Sequence, residues 1–250
     1  MHRFYLVPEE AQNSVVTLLG AEAHHALRVL RIRENERVIV LDGVGHEFLC
    51  EVREMGRDKV SLQVLQKQSL PPLPYKLTLI QALTKSKTMD LIVQKAAELG
   101  VHRIVPVLSE RSVPQIEQEA AANKLEKWRS TTIEAIKQCG SPWLPQLDEP
   151  RTPRKFIESG ERFELALVAS LQTDARHPRQ HFETFKAERQ RMPKTICVWV
   201  GPEGDFTPAE MNSIRQTGAL PITLGQLVLR SETAAIYCLS VLNYEMQAPN

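Results

Sequence analysis

What this 250-residue chain lacks narrows its reading at once. Its four cysteines, Cys50, Cys139, Cys197 and Cys238, stand far apart and form no C-x-x-C pair. A disulfide framework and a zinc site both call for paired thiols, so neither is expected, and no metal is expected. Buried or incidental thiols in a reducing cytoplasm fit better. No window approaches the roughly 20 apolar residues of a membrane helix, and Met1-His2-Arg3-Phe4 leads into a mixed segment unlike a signal peptide. Charge of one sign is missing as well: the formal net charge is +1. That excludes nucleic-acid binding by bulk charge and leaves only a local patch for it. There is no G-x-x-x-x-G-K-[ST] loop, no G-x-S-x-G elbow and no H-E-x-x-H pair. No repeat or low-complexity segment is visible.

What is present is ordinary globular composition, 42% hydrophobic and 24% charged, at a length that can hold one large or two modest domains. Residues 1–65 read as a small β-rich unit. Strands are expected at 37–42, 48–52 and 59–65, β-branched and bounded by turn signals at Asp42-Gly43 and Gly56, with one helix near 21–30. Residues 66–75, QKQSLPPLPY, read as a stiff extended linker and place a domain boundary there. Beyond it strands alternate with helices. Strands are expected at 76–82, 101–107, 165–169, 195–200 and 220–224, and helices at 88–99 and 124–138. Thr207-Pro208-Ala209-Glu210 is a full helix start, with an N-cap, proline at the first position and an acid at the third. Gly218 should end that helix, and Ser231 should cap a last one running to about Met246. This alternation implies an α/β domain built on a mostly parallel sheet.

Two segments can carry chemistry. Gly201-Pro202-Glu203-Gly204 and Leu224–Glu232, LGQLVLRSE, each lie where an apolar strand gives way to a helix. In an open parallel sheet ligands bind at such carboxyl ends. Glu203 is an unusual residue for a plain turn. Glu232 suits the first turn of a helix, where the dipole favours an acid. Arg230 does not, so a cation there points to an anion or a developing negative charge. Gly43-Val44-Gly45, half of a dinucleotide fingerprint, sits in an Asp-Gly context and reads as a turn.

The pair GPEG…LG-x-x-VLR-[ST]-ETA resembles the 16S rRNA uridine-N3 methyltransferase family, a branch of the SPOUT methyltransferases. The similarity covers essentially the whole chain. It includes His25-Ala26-Leu27-Arg28-Val29-Leu30-Arg31, Lys95 to Val101, Pro106 to Ser112, Gln138 and Pro145. The resemblance implies a PUA-like β-barrel RNA-binding domain over residues 1–70. It implies a SPOUT α/β domain over 73–250 with a C-terminal trefoil knot, working as a homodimer. It further implies S-adenosylmethionine as cofactor, held by Ser170, Gly201, Glu203, Gly204, Leu224, Gly225, Gln226, Leu229 and Arg230. Ribosomal RNA of the small subunit is the implied partner, with no membrane, in the cytoplasm. The chain departs from the family pattern at Asp205, where a second glycine is usual, and at Gln226-Leu227, where Pro-Arg is usual. It departs again at Ser141, where the Gln-x-Gly-Arg run usually ends in arginine.

Within that reading Arg230 would stabilise charge on the uracil ring, and Glu203 or Glu232 would take the N3 proton. RNA contact falls to His25, Arg28, Arg31 and Arg33, where basic residues crowd and Arg28 and Arg31 would share a helix face. Arg111 and Gln138, in the resembling motifs, join them. Gly225 would let backbone approach adenosine closely. The alternatives are a non-catalytic RNA-binding relative that keeps the cofactor loops, and a methyltransferase acting on another RNA.

Overall fold

Every strand of the larger sheet runs parallel to its neighbours, which fixes where a ligand can sit. The computed structural model describes residues 1–112 and 118–247. The chain divides into two compact units, Met1–Pro72 with Ile133–Leu144, and Leu73–Thr132 with Pro145–Asn250.

The first unit is a five-stranded sheet of β1 (Arg3–Tyr5), β2 (Val15–Leu18), β3 (Arg37–Leu41), β4 (His46–Met55) and β5 (Val60–Ser69), in the order β1-β3-β4-β5-β2. Register shifts at Leu49/Cys50 and Val52/Glu54 mark bulges between β4 and β5. Such bulges bend a strand and curl its sheet. Alternate residues Val38, Val40, Phe48, Cys50, Val52, Val60 and Leu62 face one buried cluster. The expected linker is partly a correction. β5 pairs on to Ser69 opposite His46, so residues 66–69 are strand. Their side chains are exposed, which removes the alternation that would have shown it.

The helix near residues 21–30 exists but changes winding. α1 (Gly20–His24) continues as a π-helical segment, His25–Leu30, closed by Arg31 in the left-handed region at φ 53°. Arg28 and Arg31 therefore do not share a helix face. The wider π turn shifts the spacing and Arg31 lies beyond the last turn, its N–H donating to the Ala26 carbonyl. The Asp42–Gly45 turn is as expected, its carboxylate Oδ1 accepting from the N–H groups of Val44 and His46. Gly45 has a second reason to be glycine, since a Cβ there would lie 2.3 Å from the Trp143 ring. Residues 133–144 include the end of α3 (Gln118–Cys139), where Lys137, 5% exposed, donates to Glu22 and Glu134 at 2.7 Å. The other Glu22 oxygen accepts from the Tyr5 N–H.

The second unit holds β6 (Lys76–Ala82), β7 (Arg103–Val107), β8 (Gln146–Leu147), β9 (Leu165–Ala169), β10 (Thr195–Val200) and β11 (Leu220–Ile222), in the order β11-β9-β10-β6-β7-β8. Strand residues alternate between its two faces. Leu77, Leu79, Ile196, Val198 and Val200 pack with α2 (Ser86–Glu98) and α7 (Ser231–Gln247). Ile80, Ala82, Cys197 and Trp199 pack against α4 (Pro153–Glu158) and α6 (Pro208–Gln216). β8, α4 and α5 (Pro178–Arg189) were not anticipated. The Thr152-Pro153 and His177-Pro178 pairs are helix starts of the same kind as Thr207-Pro208 and could have revealed both helices.

Lys137→Ala would leave the Glu22 carboxylate without its cation in a largely buried position. Breaking one side of such a pair costs about 3 kcal/mol. Urea denaturation should show that loss, and an unchanged midpoint would mean that the pair contributes nothing net.

Candidate functional site

A cavity of about 250 Å³ opens over the carboxyl ends of β9, β10 and β11. Because these strands are parallel and adjacent, their outgoing loops converge on one side of the sheet. Ala169 and Ser170 line it from β9, Gly201 to Glu203 and Asp205 from β10, and Thr223 to Leu229 from β11.

The Gly201–Gly204 corner is fixed by local chemistry. The Asp205 N–H donates to the Pro202 carbonyl at 2.9 Å, closing a tight turn. Asp205 itself sits at φ 60°, which explains why glycine suits this position and why aspartate is among the few residues that tolerate it. Its Oδ1 accepts from the Phe206 N–H at 2.7 Å. A Cβ on Gly201 would lie 3.0 Å from that oxygen, so any larger residue at the end of β10 would push the Asp205 carboxylate aside. Phe206 is buried edge-on to Trp199, and the Thr207/Glu210 capping box then opens α6 as expected. Glu210 also accepts from the Glu110 N–H, and Arg111 donates to the Gly204 carbonyl at 2.6 Å. Arg111, an expected RNA contact, therefore grips the loop from outside.

Ser231 proves to be a link and not a cap. α7 begins at Ser231, and the Arg230 carbonyl accepts the Ala234 N–H as its first turn. The buried Ser231 hydroxyl donates to the Gly201 carbonyl at 2.9 Å and accepts from Gln81 Nε2 at 3.0 Å. Gln81, fully buried at the end of β6, lies opposite Val200 in the ladder. One serine thus ties the second corner to the first and both to the central strand. Gly225 has a backbone reason to be glycine as well: no protein atom lies within 4 Å of where a Cβ would stand, but its φ of 110° is one that L side chains rarely adopt.

Of the expected cofactor residues, Ser170, Gly201, Glu203, Leu224, Gly225, Gln226 and Leu229 line the cavity, whereas Gly204 and Arg230 do not. Glu232 lies outside the lining too. Arg230 and Glu203 are exposed and Glu232 half-buried. Thr223, Ala234 and Asp205 are among the lining residues that sequence reasoning missed. Asp205 was visible only as an oddity of the motif. Burial raises its carboxyl above the usual carboxylate range, opposed by the Phe206 N–H and then by Arg111. In the first unit Arg28 borders a cavity of about 360 Å³ with Gly20, His24, Leu27, Arg57 and Asp58. Arg57, on the β4–β5 turn, is a cation that helix spacing could not associate with Arg28. His25 is half-buried against Phe4, while Arg31, Arg33 and Gln138 are exposed.

Among the described residues no three His, Cys, Asp or Glu side chains gather as a metal site, and no helix is long and apolar enough to cross a membrane. Cys50, Cys197 and Cys238 are buried, and burial pushes the Cys50 and Cys238 thiols up to about 12, which leaves them unreactive.

Residues 71–243 match the family model of the RNA methyltransferase domain, and residues 18–65 that of the RNA methyltransferase PUA domain. Fold, cavity and these matches define an α/β RNA-methyltransferase domain joined to a PUA domain. Ribosomal RNA small subunit methyltransferase E of Aquifex aeolicus is 33% identical over 97% of this chain and 99% of its own. The same-named protein of Neisseria gonorrhoeae, solved bound to S-adenosyl methionine, superposes with TM-score 0.84 at 28% identity, covering 98% of this chain and 97% of its own. A Legionella pneumophila chain solved with the bound cofactor SAM gives 0.87 at 30% identity, over 97% of this chain and 96% of its own. The chain belongs to the ribosomal RNA small subunit methyltransferase E family.

Ser231→Ala should leave the Gly201 carbonyl without its buried donor, while the Gln81 amide keeps the Ala82 carbonyl. An unsatisfied group of this kind costs about 1–3 kcal/mol. Chemical denaturation should register a loss in that range. Stability equal to the parent would show that the link is dispensable.

Proposed function

We propose that this protein is an S-adenosylmethionine-dependent methyltransferase that methylates N3 of a uridine in 16S small-subunit ribosomal RNA. The observation that carries the proposal is the cavity over β9, β10 and β11, built from the same two motifs on which the family resemblance rests. Its chemistry suits the cofactor. Ala169, Leu224 and Leu229 offer apolar wall for an adenine ring, and the Ser170 and Thr223 hydroxyls offer polar contacts. Gly201 and Gly225 carry no side chain beside them, so backbone forms that part of the wall. The cofactor, when bound, supplies an electrophilic methyl on a positively charged sulfur.

The chain's own task is then placement and charge handling. Fixed loops hold the acceptor in line, and positioning of this kind supplies roughly 7–11 kcal/mol. The uridine must be drawn out of its stack to reach the site. Removal of the N3 proton leaves negative charge on the ring carbonyl oxygens. Arg230, at the N-terminal entry of α7, is the group assigned to that charge, and Glu203 or Glu232 accepts the proton. We assign residues 1–70 to RNA grip, with Arg28 and Arg57 as phosphate contacts, and residues 73–250 to transfer. Homodimer formation, a trefoil knot in the second unit and a cytoplasmic location belong to the same proposal. Exposed Leu227 and Val228, which also line the cavity, and Tyr237 and Tyr244 on α7 support a subunit interface there.

Mass spectrometry of nucleosides from 16S rRNA, with and without the gene, tests the function. A 3-methyluridine present only with the gene is expected, and no difference would refute it. Two substitutions separate binding from transfer. Gly225→Val should abolish cofactor binding in calorimetry while the protein stays folded. Arg230→Ala should bind the cofactor within a few-fold of the parent yet transfer on the order of a hundred- to thousand-fold more slowly, as for one lost charge-stabilising donor. An Arg230→Ala protein that merely halves turnover, or fails by losing the cofactor, would remove Arg230 from that role.

A further inference from the structure

Asp205 is a half-buried acid whose charge the loop does not need. Its φ of 60° favours glycine or asparagine. Its Oδ1 accepts from the Phe206 N–H, a duty that an asparagine carbonyl performs equally well. The turn to Pro202 uses the backbone N–H alone. Yet the residue, half-buried and among those that line the cavity, carries a carboxylate that forms no ion pair among the described residues. Arg111, the nearby cation, directs its hydrogen bond to the Gly204 carbonyl. Burial already lifts this carboxyl above the ordinary carboxylate value, and a cation in the cavity would relieve that penalty.

We infer that Asp205 is a specificity-determining residue that reads the charge on the cofactor's sulfur, favouring the cationic sulfonium over the neutral thioether product. The inference rests on the cofactor reading above. Transfer breaks the sulfur–methyl bond, and both bonding electrons stay on sulfur, which becomes a neutral thioether. The methyl bonds to the acceptor nitrogen, whose proton passes to the base. Only the sulfur changes charge; the ammonium and carboxylate of the amino-acid end are the same before and after. A carboxylate near the sulfur therefore tightens the cofactor and leaves the product untouched, which aids product release. A carboxylate that met only the ammonium would tighten both alike.

Calorimetry with S-adenosylmethionine and S-adenosylhomocysteine on the full chain decides between these. Asp205→Asn keeps the acceptor for Phe206 and tolerates the backbone conformation; Asp205→Gly relieves the conformation altogether. Both variants should bind S-adenosylmethionine about ten-fold more weakly, with S-adenosylhomocysteine affinity changed less than about two-fold. Equal changes for the two ligands, or none for either, would overturn the inference. A parent protein that binds neither ligand would instead overturn the cofactor reading, and this inference with it. Melting temperatures of both variants near the parent's would show that the loop still forms.

Discussion

A parallel sheet leaves unpaired backbone groups at its strand ends, and the loops that leave those ends must be held in place by something other than the ladder. Here a single buried hydroxyl meets that need. Ser231 joins the Gly201 carbonyl to the amide of Gln81, and so connects the loop after β10, the start of α7 and the end of β6. Every feature of the cavity depends on this geometry. The Gly201 turn closes against Asp205 only because glycine lets the carboxylate approach, and the Leu224–Arg230 segment keeps its course because α7 is anchored at its first residue. Outside the cavity Arg111 holds the same loop through the Gly204 carbonyl, and Glu210 ties the start of α6 to the Glu110 N–H. The site is a set of short loops braced at both ends, the arrangement that positional catalysis requires.

Much of this was legible in the sequence because it is periodic or punctuated. The strands at Lys76–Ala82, Leu165–Ala169 and Thr195–Val200 fall on the expected residues, since apolar runs with β-branched residues on both faces are characteristic of a buried parallel strand. The capping box at Thr207 and Glu210 formed as its spelling requires. What escaped lacks a local signature. β1 and β2 are three and four residues long, too short for alternation to register. The far half of β5 is polar on both faces, and its strand character comes from pairing with β4.

The site was legible in outline and misread in detail for a related reason. Motif spelling placed Ser231 and Gly225 correctly in the chain but could not say which atoms they face. Serine at a helix start is usually a cap, and this one is diverted by a buried amide 150 residues earlier in sequence. Glycine at a strand end suggests close approach by a neighbour, and the spelling does not show that the backbone angle of Gly225 demands it too. Arg28 and Arg31 were paired on ideal helix spacing, which fails where the helix widens into a π turn. In each case a non-local contact or an irregular backbone overrode a sound local rule.

The exposure of Arg230 and Glu203 bears on how the proposed chemistry works. A cation in water is screened to about 1 kcal/mol against a unit charge at 4 Å, and the same pair near a protein surface is worth about four times that. Arg230 on the open rim, outside the cavity lining, therefore gains its proposed effect only when something excludes water from it. The loop beside it shows what the covering surface must match: Leu227 and Val228 are 79% and 74% exposed, apolar side chains held outward by a segment whose ends are fixed. A second copy seated there would desolvate the rim permanently, while the RNA base alone would desolvate it only on arrival. The first arrangement sets the charge in place before the substrate enters, so the cost of ordering it is met on assembly and not in the transfer step. On that ground the exposed apolar loop and the charged rim favour the proposed homodimer, which would cover both at once.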